Sequence, residues 1–304
     1  MSKVYRRRRW DDDDLSLPEA TPVRHDGPRS AASPNGNRPD GDLPDGELPG
    51  GARWSGWAEA DQRGPLPPPD WLITDGAALD HDRGVLKTGK EADVHLVERV
   101  GVDGASCLLA AKRYRGRDHR SFHRDAGYLE GRRVRRSREM RAMANRTEIG
   151  LGIIAGQWAA AEHRALGDLW RMGLPVPYPV QLDGTELLLE FIGEPDGTAA
   201  PRLAQVRPEP TELGALWVDL WASLTTLAEA GYAHGDLSAY NLLVHGGSVW
   251  LIDLPQLVDV VGNPQGPAFL RRDLANVAAW FAARGLPLDG ESLADELAGR
   301  ALRR

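Results

Sequence analysis

The chain has 304 residues, 41% of them hydrophobic, with 34 Gly, 22 Pro and a formal net charge of −7. That length allows one large domain or two lobes. The acidic balance argues against a protein that coats nucleic acid with its whole surface, although a local basic patch is still allowed. Cys107 is the single cysteine, which excludes an intramolecular disulfide and a Cys-rich zinc site and fits a reducing cytoplasm. No apolar run approaches the roughly 20 residues of a membrane span, and Arg6 to Arg9 are followed by Asp11 to Asp14 instead of the apolar core of a signal peptide.

Residues 1–70 are rich in Pro, Gly, Asp and Arg and carry no sustained apolar period. This composition predicts a disordered tail, with order beginning near Trp71. From Gly84 to Tyr114 the signals are for strands. Val85 and Leu86 lead into Thr88-Gly-Lys-Glu-Ala92, then Val94, Leu96 and Val100 mark a second strand. A turn at Gly101 to Gly104 precedes a third, Cys107 to Lys112. Cys107 falls in that apolar run and reads as a buried structural thiol. Residues 113–146 are heavily basic, with Arg132, Arg133, Arg135, Arg136 and Arg138 clustered, and read as a long insertion that could meet RNA phosphates or an acidic partner.

Helical periodicity then returns. Trp158, Glu162, Ala165, Leu166 and Leu169 share one face, and Gly173 and Pro175 stop the helix. Glu186 to Ile192 reads as a strand. Thr211 to Ala230 reads as an amphipathic helix, and Leu242 to Ile252 as a hairpin turning at Gly246-Gly247. Phe269 to Arg284 and Glu291 to Arg304 read as helices. The expected class is α+β, with an antiparallel-sheet N-lobe over about 71–192 and a helical C-lobe over about 193–304.

The stretch His234-Gly-Asp-Leu-Ser-Ala-Tyr-Asn241, followed by Asp253, carries the clearest chemistry. Asp236 is spaced to accept a proton from an attacking hydroxyl, and protein-kinase catalytic loops separate their Asp and Asn by the same interval. A hairpin brings its open ends together, so Asn241 before it and Asp253 after it should lie side by side. An amide oxygen and a carboxylate suit magnesium, which takes hard oxygen ligands and keeps water and phosphate for the rest. His234, with no His or Cys cluster near it, is expected to brace the loop.

Lys112 ends an apolar strand, and Glu162 lies on the apolar stripe of its helix. A carboxylate there needs a cationic partner, and Lys112 is the natural one. A strand Lys paired with a helix Glu is how kinases hold the α- and β-phosphates of ATP. In the turn between two strands, Gly89 permits close backbone approach to phosphate and Lys90 adds charge. As a bare pattern this loop fits an ordinary hairpin turn equally well.

Thr88-Gly-Lys-Glu-Ala92, Lys112, Glu162, Leu189-Glu-Phe-Ile-Gly193, the His234 to Asn241 loop, Ile252-Asp-Leu-Pro-Gln256 and Phe269-Leu-Arg-Arg-Asp273 together resemble the RIO family of atypical protein kinases. The resemblance runs from about Gly84 to Gly285. It implies a trimmed bilobal kinase fold over residues 71–304, with no activation segment and ATP between the lobes. The adenine would meet backbone groups of Glu190 and Ile192, and Thr88 and Lys90 would belong to the phosphate loop. Lys112 would contact phosphate and be held by Glu162. Asp236 would be catalytic, and Asn241 with Asp253 would bind Mg2+, or Mn2+ in its place. The resemblance also implies that Asp253 can carry an aspartyl-phosphate, that an as yet unnamed protein is phosphorylated on serine or threonine, and that a ribosomal particle is a candidate partner. Two other readings remain open: a small-molecule kinase of the aminoglycoside or choline type, and a nucleotide-gated assembly factor with slow turnover.

Overall fold

In the computed structural model, residues 51–115, 148–255 and 257–303 are described. The chain starts with two very short strands, β1 (Arg53–Trp54) and β2 (Gln62–Arg63). Three longer strands follow, β3 (Leu79–Thr88), β4 (Ala92–Val100) and β5 (Ser106–Tyr114). A long helix, α1 (Glu148–Arg171), leads to β6 (Pro179–Asp183) and β7 (Glu186–Glu190). All seven strands form one antiparallel sheet in the order β1-β3-β4-β5-β7-β6-β2.

Alternation along β5 sorts its side chains onto two faces. Cys107, Leu109 and Ala111 pack with Trp57, Leu72, Val97 and Tyr178 on one face. Tyr114 and Ala110 join the larger core shared with α1 on the other. Lys112, in step with Ala110 and Tyr114, therefore points toward α1. Cys107 is buried and free, and burial pushes its thiol up, as a structural thiol requires.

The packed chain begins before Trp71. The expectation of a tail over residues 1–70 is corrected for residues 51–70, while residues 1–50 lie outside the described residues. Trp57 covers the outer face of the sheet. The Ser55 carbonyl accepts from Arg99 Nη2 at 3.0 Å and from Gln181 Nε2 at 2.9 Å. Arg99 is fully buried and makes a fork with Asp80, Nε to Oδ1 at 2.7 Å and Nη2 to Oδ2 at 3.0 Å. Two donors on two acceptors satisfy a buried pair that would otherwise be strongly destabilising. Most of the basic insertion read over 113–146 also falls outside the described residues.

The second lobe follows. A single 3-10 turn, Leu203–Gln205, precedes α2 (Pro210–Glu229) and β8 (Tyr232–Ala233). The predicted hairpin is β9 (Leu242–His245) with β10 (Ser248–Leu251). Gly246 at φ 59° and Gly247 at φ 76° make the paired left-handed turn that two-residue hairpins favour. Asp219, on the buried stripe of α2, accepts the Val249 N–H at 2.7 Å and fixes the hairpin to that helix. Then β11 (Val258–Asp259) pairs with β8, and α3 (Gly266–Ala282) and α4 (Gly290–Ala301) close the lobe. These described residues all belong to one compact unit, Gly36–Arg304. Among them no helix is long and apolar enough to cross a membrane.

Candidate active site

Lys112 and Glu162 meet as the helix stripe predicts. Glu162 is 1% exposed, and the Lys112 ammonium lies 2.8 Å from its carboxylate. The Tyr114 hydroxyl, two residues on along β5 and on the same face, donates to the other side of that carboxylate. The Leu254 N–H donates to it at 3.3 Å. Glu162 thus joins the sheet, its own helix and the segment after Asp253. Burial, then the neighbouring Glu162 charge, raises the Tyr114 phenol well above its usual range, so it stays a donor.

The same ammonium also lies 2.8 Å from Asp253 Oδ1, a contact the sequence reading did not foresee. Burial alone would lower the Lys112 pKa. The carboxylates of Asp253 and then Glu162 outweigh it and hold the ammonium charged. In return, Lys112 holds the Asp253 carboxyl below its usual range. Asp253 has φ 64°, the single positive-φ non-glycine among the described residues. Asp and Asn tolerate that conformation better than other side chains, and such backbone concentrates at functional sites.

Across from this cluster, the loop from His234 to Asn241 is held by hydrogen bonds to its own backbone. Asp273 of α3, 1% exposed, accepts the Gly235 N–H at 2.7 Å and the Leu237 N–H at 2.9 Å. Burial raises its pKa against the pull of these donors. Asn276 donates to the Leu237 carbonyl at 3.1 Å, and Arg272 donates to the Gly235 carbonyl. Gly235 and Leu237 are buried, and Asp236 between them is exposed. A loop anchored on both sides of one residue turns that residue's carboxylate outward.

His234 braces the loop, as expected. Its Nε2 lies 3.1 Å from the Ile252 carbonyl, and its Nδ1 accepts the Asp236 N–H at 3.4 Å. A neutral ring with its proton on Nε2 meets both partners. The ring therefore ties Asp236 to the strand end that carries Asp253. At the hairpin mouth Leu242 pairs with Leu251 and the Ile252 N–H donates to the Asn241 carbonyl at 3.1 Å, so Asn241 lies opposite Ile252, the residue before Asp253. The Asn241 side-chain nitrogen donates to the Asp236 carbonyl at 2.9 Å, which leaves its amide oxygen as the remaining acceptor of that side chain.

Thr88 ends β3, paired with Asp93 of β4, and Gly89 and Lys90 lie in the turn that follows it. The Gly89 N–H donates to the Ala92 carbonyl at 2.9 Å, and a Cβ on Gly89 would sit 2.8 Å from that oxygen. Only glycine fits so tight a turn. At Glu190 and Ile192, the Glu190 N–H donates to the Tyr178 carbonyl and the Ile192 carbonyl accepts from Ala200.

The RIO domain family matches residues 110–293, more than half of the chain. The chain belongs to the RIO family. The RIO-type serine/threonine-protein kinase Rio1 of Haloferax volcanii is 35% identical over 230 residues, covering 75% of this chain and 72% of that protein. Serine/threonine-protein kinase RIO1 of Caenorhabditis elegans is 33% identical over 218 residues, covering 71% of this chain and 40% of the relative. The chain thus spans well under half of the nematode relative's length. The crystal structure of the Rio2 kinase from Chaetomium thermophilum aligns with a TM-score of 0.51 at 21% identity, covering 72% of this chain and 63% of that one. That likeness carries the fold, a trimmed bilobal kinase of α+β class. Residues 254–265 are all that separates Asp253 from α3 in this RIO chain, so no activation segment intervenes. Family membership sets aside the small-molecule kinase reading.

Proposed function

We propose that this RIO chain is an ATP- and magnesium-dependent serine/threonine protein kinase that transfers the γ-phosphate to a protein hydroxyl. The observation that carries the reading is the Lys112 ammonium shared between Glu162 and Asp253, 2.8 Å from each, facing a loop that exposes Asp236.

The donor set fits magnesium. Asp253 offers a carboxylate held ionised and 42% exposed, and Asn241 offers an amide oxygen oriented by its own nitrogen. Among the described residues no group of three or more His, Cys, Asp and Glu could form a metal cage. That suits an ion which takes one or two protein ligands and completes its shell with phosphate and water, and the same oxygens suit manganese. When bound, the metal would neutralise charge on the β- and γ-phosphates.

Lys112, released from Asp253, would contact the α- and β-phosphates while Glu162 and Tyr114 hold its direction. The Glu190 carbonyl and the Ile192 N–H, the two backbone groups there without the commitments above, would read the adenine. Thr88, Gly89 and Lys90 would cover the phosphates. Asp236 would orient the acceptor hydroxyl. As that oxygen bonds to the γ-phosphorus, the bond to the bridging oxygen breaks, ADP leaves with the electron pair, and the proton passes to Asp236.

Asp253 is a second candidate acceptor, supported by its exposure and its ionised carboxylate. A contact of residues 113–146 with RNA or a ribosomal particle belongs to the same proposal and is supported by their arginines alone. The test is to incubate the chain with γ-labelled ATP, Mg2+ and a serine-rich acceptor protein. Acid- and hydroxylamine-stable label on the acceptor supports hydroxyl transfer. Hydroxylamine-labile label on the chain, lost in Asp253→Asn, identifies an aspartyl-phosphate. No label on either defeats the reading.

A further inference from the structure

Two more cations face the same centre and have no part in the mechanism above. Lys87 lies near the end of β3. In the ladder Lys87 pairs with Val94, and Val94 pairs with Lys112. Directly opposed residues in an antiparallel sheet share a face, so Lys87 projects on the same side as Lys112. Lys112 is buried against Glu162, whereas Lys87 is exposed.

Arg202 comes from the other wall. It immediately precedes the 3-10 turn Leu203–Gln205 and forms an isolated bridge with Leu243 of β9. Its guanidinium donates to the carbonyl of Tyr240, the residue before Asn241. One such bond leaves most of the five guanidinium N–H groups for another acceptor. Lys87 and Arg202 are close enough to repel one another, and Asp253 attracts both.

Asp253 is thus the carboxylate that Lys87, Lys112 and Arg202 share. A metal ion on Asp253 would claim that charge and add its own. The cations then need a strongly anionic ligand at the mouth of the Asn241–Asp253 hairpin. Lys112 belongs with the inner phosphates. Lys87, further along the sheet toward the Gly89 turn, and Arg202, beside the catalytic loop, flank the position beyond them.

We propose that Lys87 and Arg202 close on the terminal phosphate of a nucleoside triphosphate from opposite walls of the cleft, and so make the site distinguish triphosphate from diphosphate. Arg202 supplies a planar fork suited to phosphate oxygens and Lys87 a mobile point charge. The inference rests on the nucleotide reading given above.

The test is calorimetric binding of Mg2+ complexes of ATP and ADP to the full chain and to Lys87→Ala, Arg202→Ala and Arg202→Lys, with thermal melts confirming folded protein. The wild type is expected to prefer ATP. Each alanine variant should lose about tenfold in ATP affinity and less than about threefold in ADP affinity. Arg202→Lys, which keeps the charge and loses the fork, should fall between. Equal losses for ATP and ADP, or no loss in either alanine variant, would overturn the proposal while leaving wild-type nucleotide binding intact. A wild type that binds neither nucleotide would overturn the nucleotide reading itself, and this pair with it.

Discussion

On the sheet side of the cleft, Lys112 is fixed by charge: one buried carboxylate, Glu162, and one partly exposed carboxylate, Asp253. On the loop side, Asp236 is fixed by backbone: two N–H groups on Asp273, one on His234, and carbonyls held by Asn276 and Arg272. The first wall must be able to exchange partners, because a bound metal and phosphates would take Asp253 and Lys112 from each other. An ion pair with a solvent-reaching partner permits that exchange. The second wall must keep one carboxylate aimed at an acceptor throughout, and short buried hydrogen bonds to rigid helix α3 do that better. The difference teaches that the charged wall belongs to ligand exchange and the hydrogen-bonded wall to orientation.

Substitutions can break this contrast. The largest effect is expected from Asp253→Asn. Asn accepts the φ of 64° at this position, so the melt should move little while Mg2+-dependent ATP turnover falls by at least about a hundredfold. Next comes Lys112→Ala, which strands Glu162 in the core. Denaturant titration should show a loss of about 4 kcal/mol, and a Lys112→Met, Glu162→Met double variant should regain much of it without regaining turnover. On the loop side, Asp273→Ala leaves two buried N–H groups without acceptors. It should lose about 3 kcal/mol and turnover together, because the scaffold of Asp236 loosens.

How far these residues were legible depends on what each one needs. The Lys112–Glu162 pair was legible because a carboxylate among Trp158, Ala165 and Leu166 contradicts its helix stripe. The same signal stands at Asp273, which shares a buried stripe with Leu270, Leu274 and Val277, and it could have revealed the loop's anchor. The placement of Asn241 opposite Ile252, one residue before Asp253, followed from hairpin geometry alone. The Lys112–Asp253 contact joins residues 141 apart in the chain, and no local pattern carries that information. Residues 51–70 were misread because their Pro and Gly content suppresses any period. Their role is to lay Trp57 and a few carbonyls over the outer face of a sheet, which needs no period. Strand β6 escaped for a related reason: it is five residues long and opens on Pro179.

The smallest expected effect lies at the edge of the cleft. Burial pushes the Glu190 carboxyl from 4.5 up to about 7, against the hydrogen bond it accepts from the Tyr178 N–H. The unfolded chain ionises first, so stability should fall as pH rises from 4.5 toward 7 and level off above that. The fall should be about 2 kcal/mol for a half-buried group, and Glu190→Gln should flatten it in melts taken across that range. A slope unchanged in the variant would place the pH dependence elsewhere.

The most direct test of the central claim is a single-turnover experiment with enzyme in excess over γ-labelled ATP and Mg2+, comparing the wild type with Asp236→Asn and Asp253→Asn. The account predicts release or transfer of labelled phosphate by the wild type and its loss in both variants, with their melts unchanged. Equal label transfer in all three proteins would contradict it.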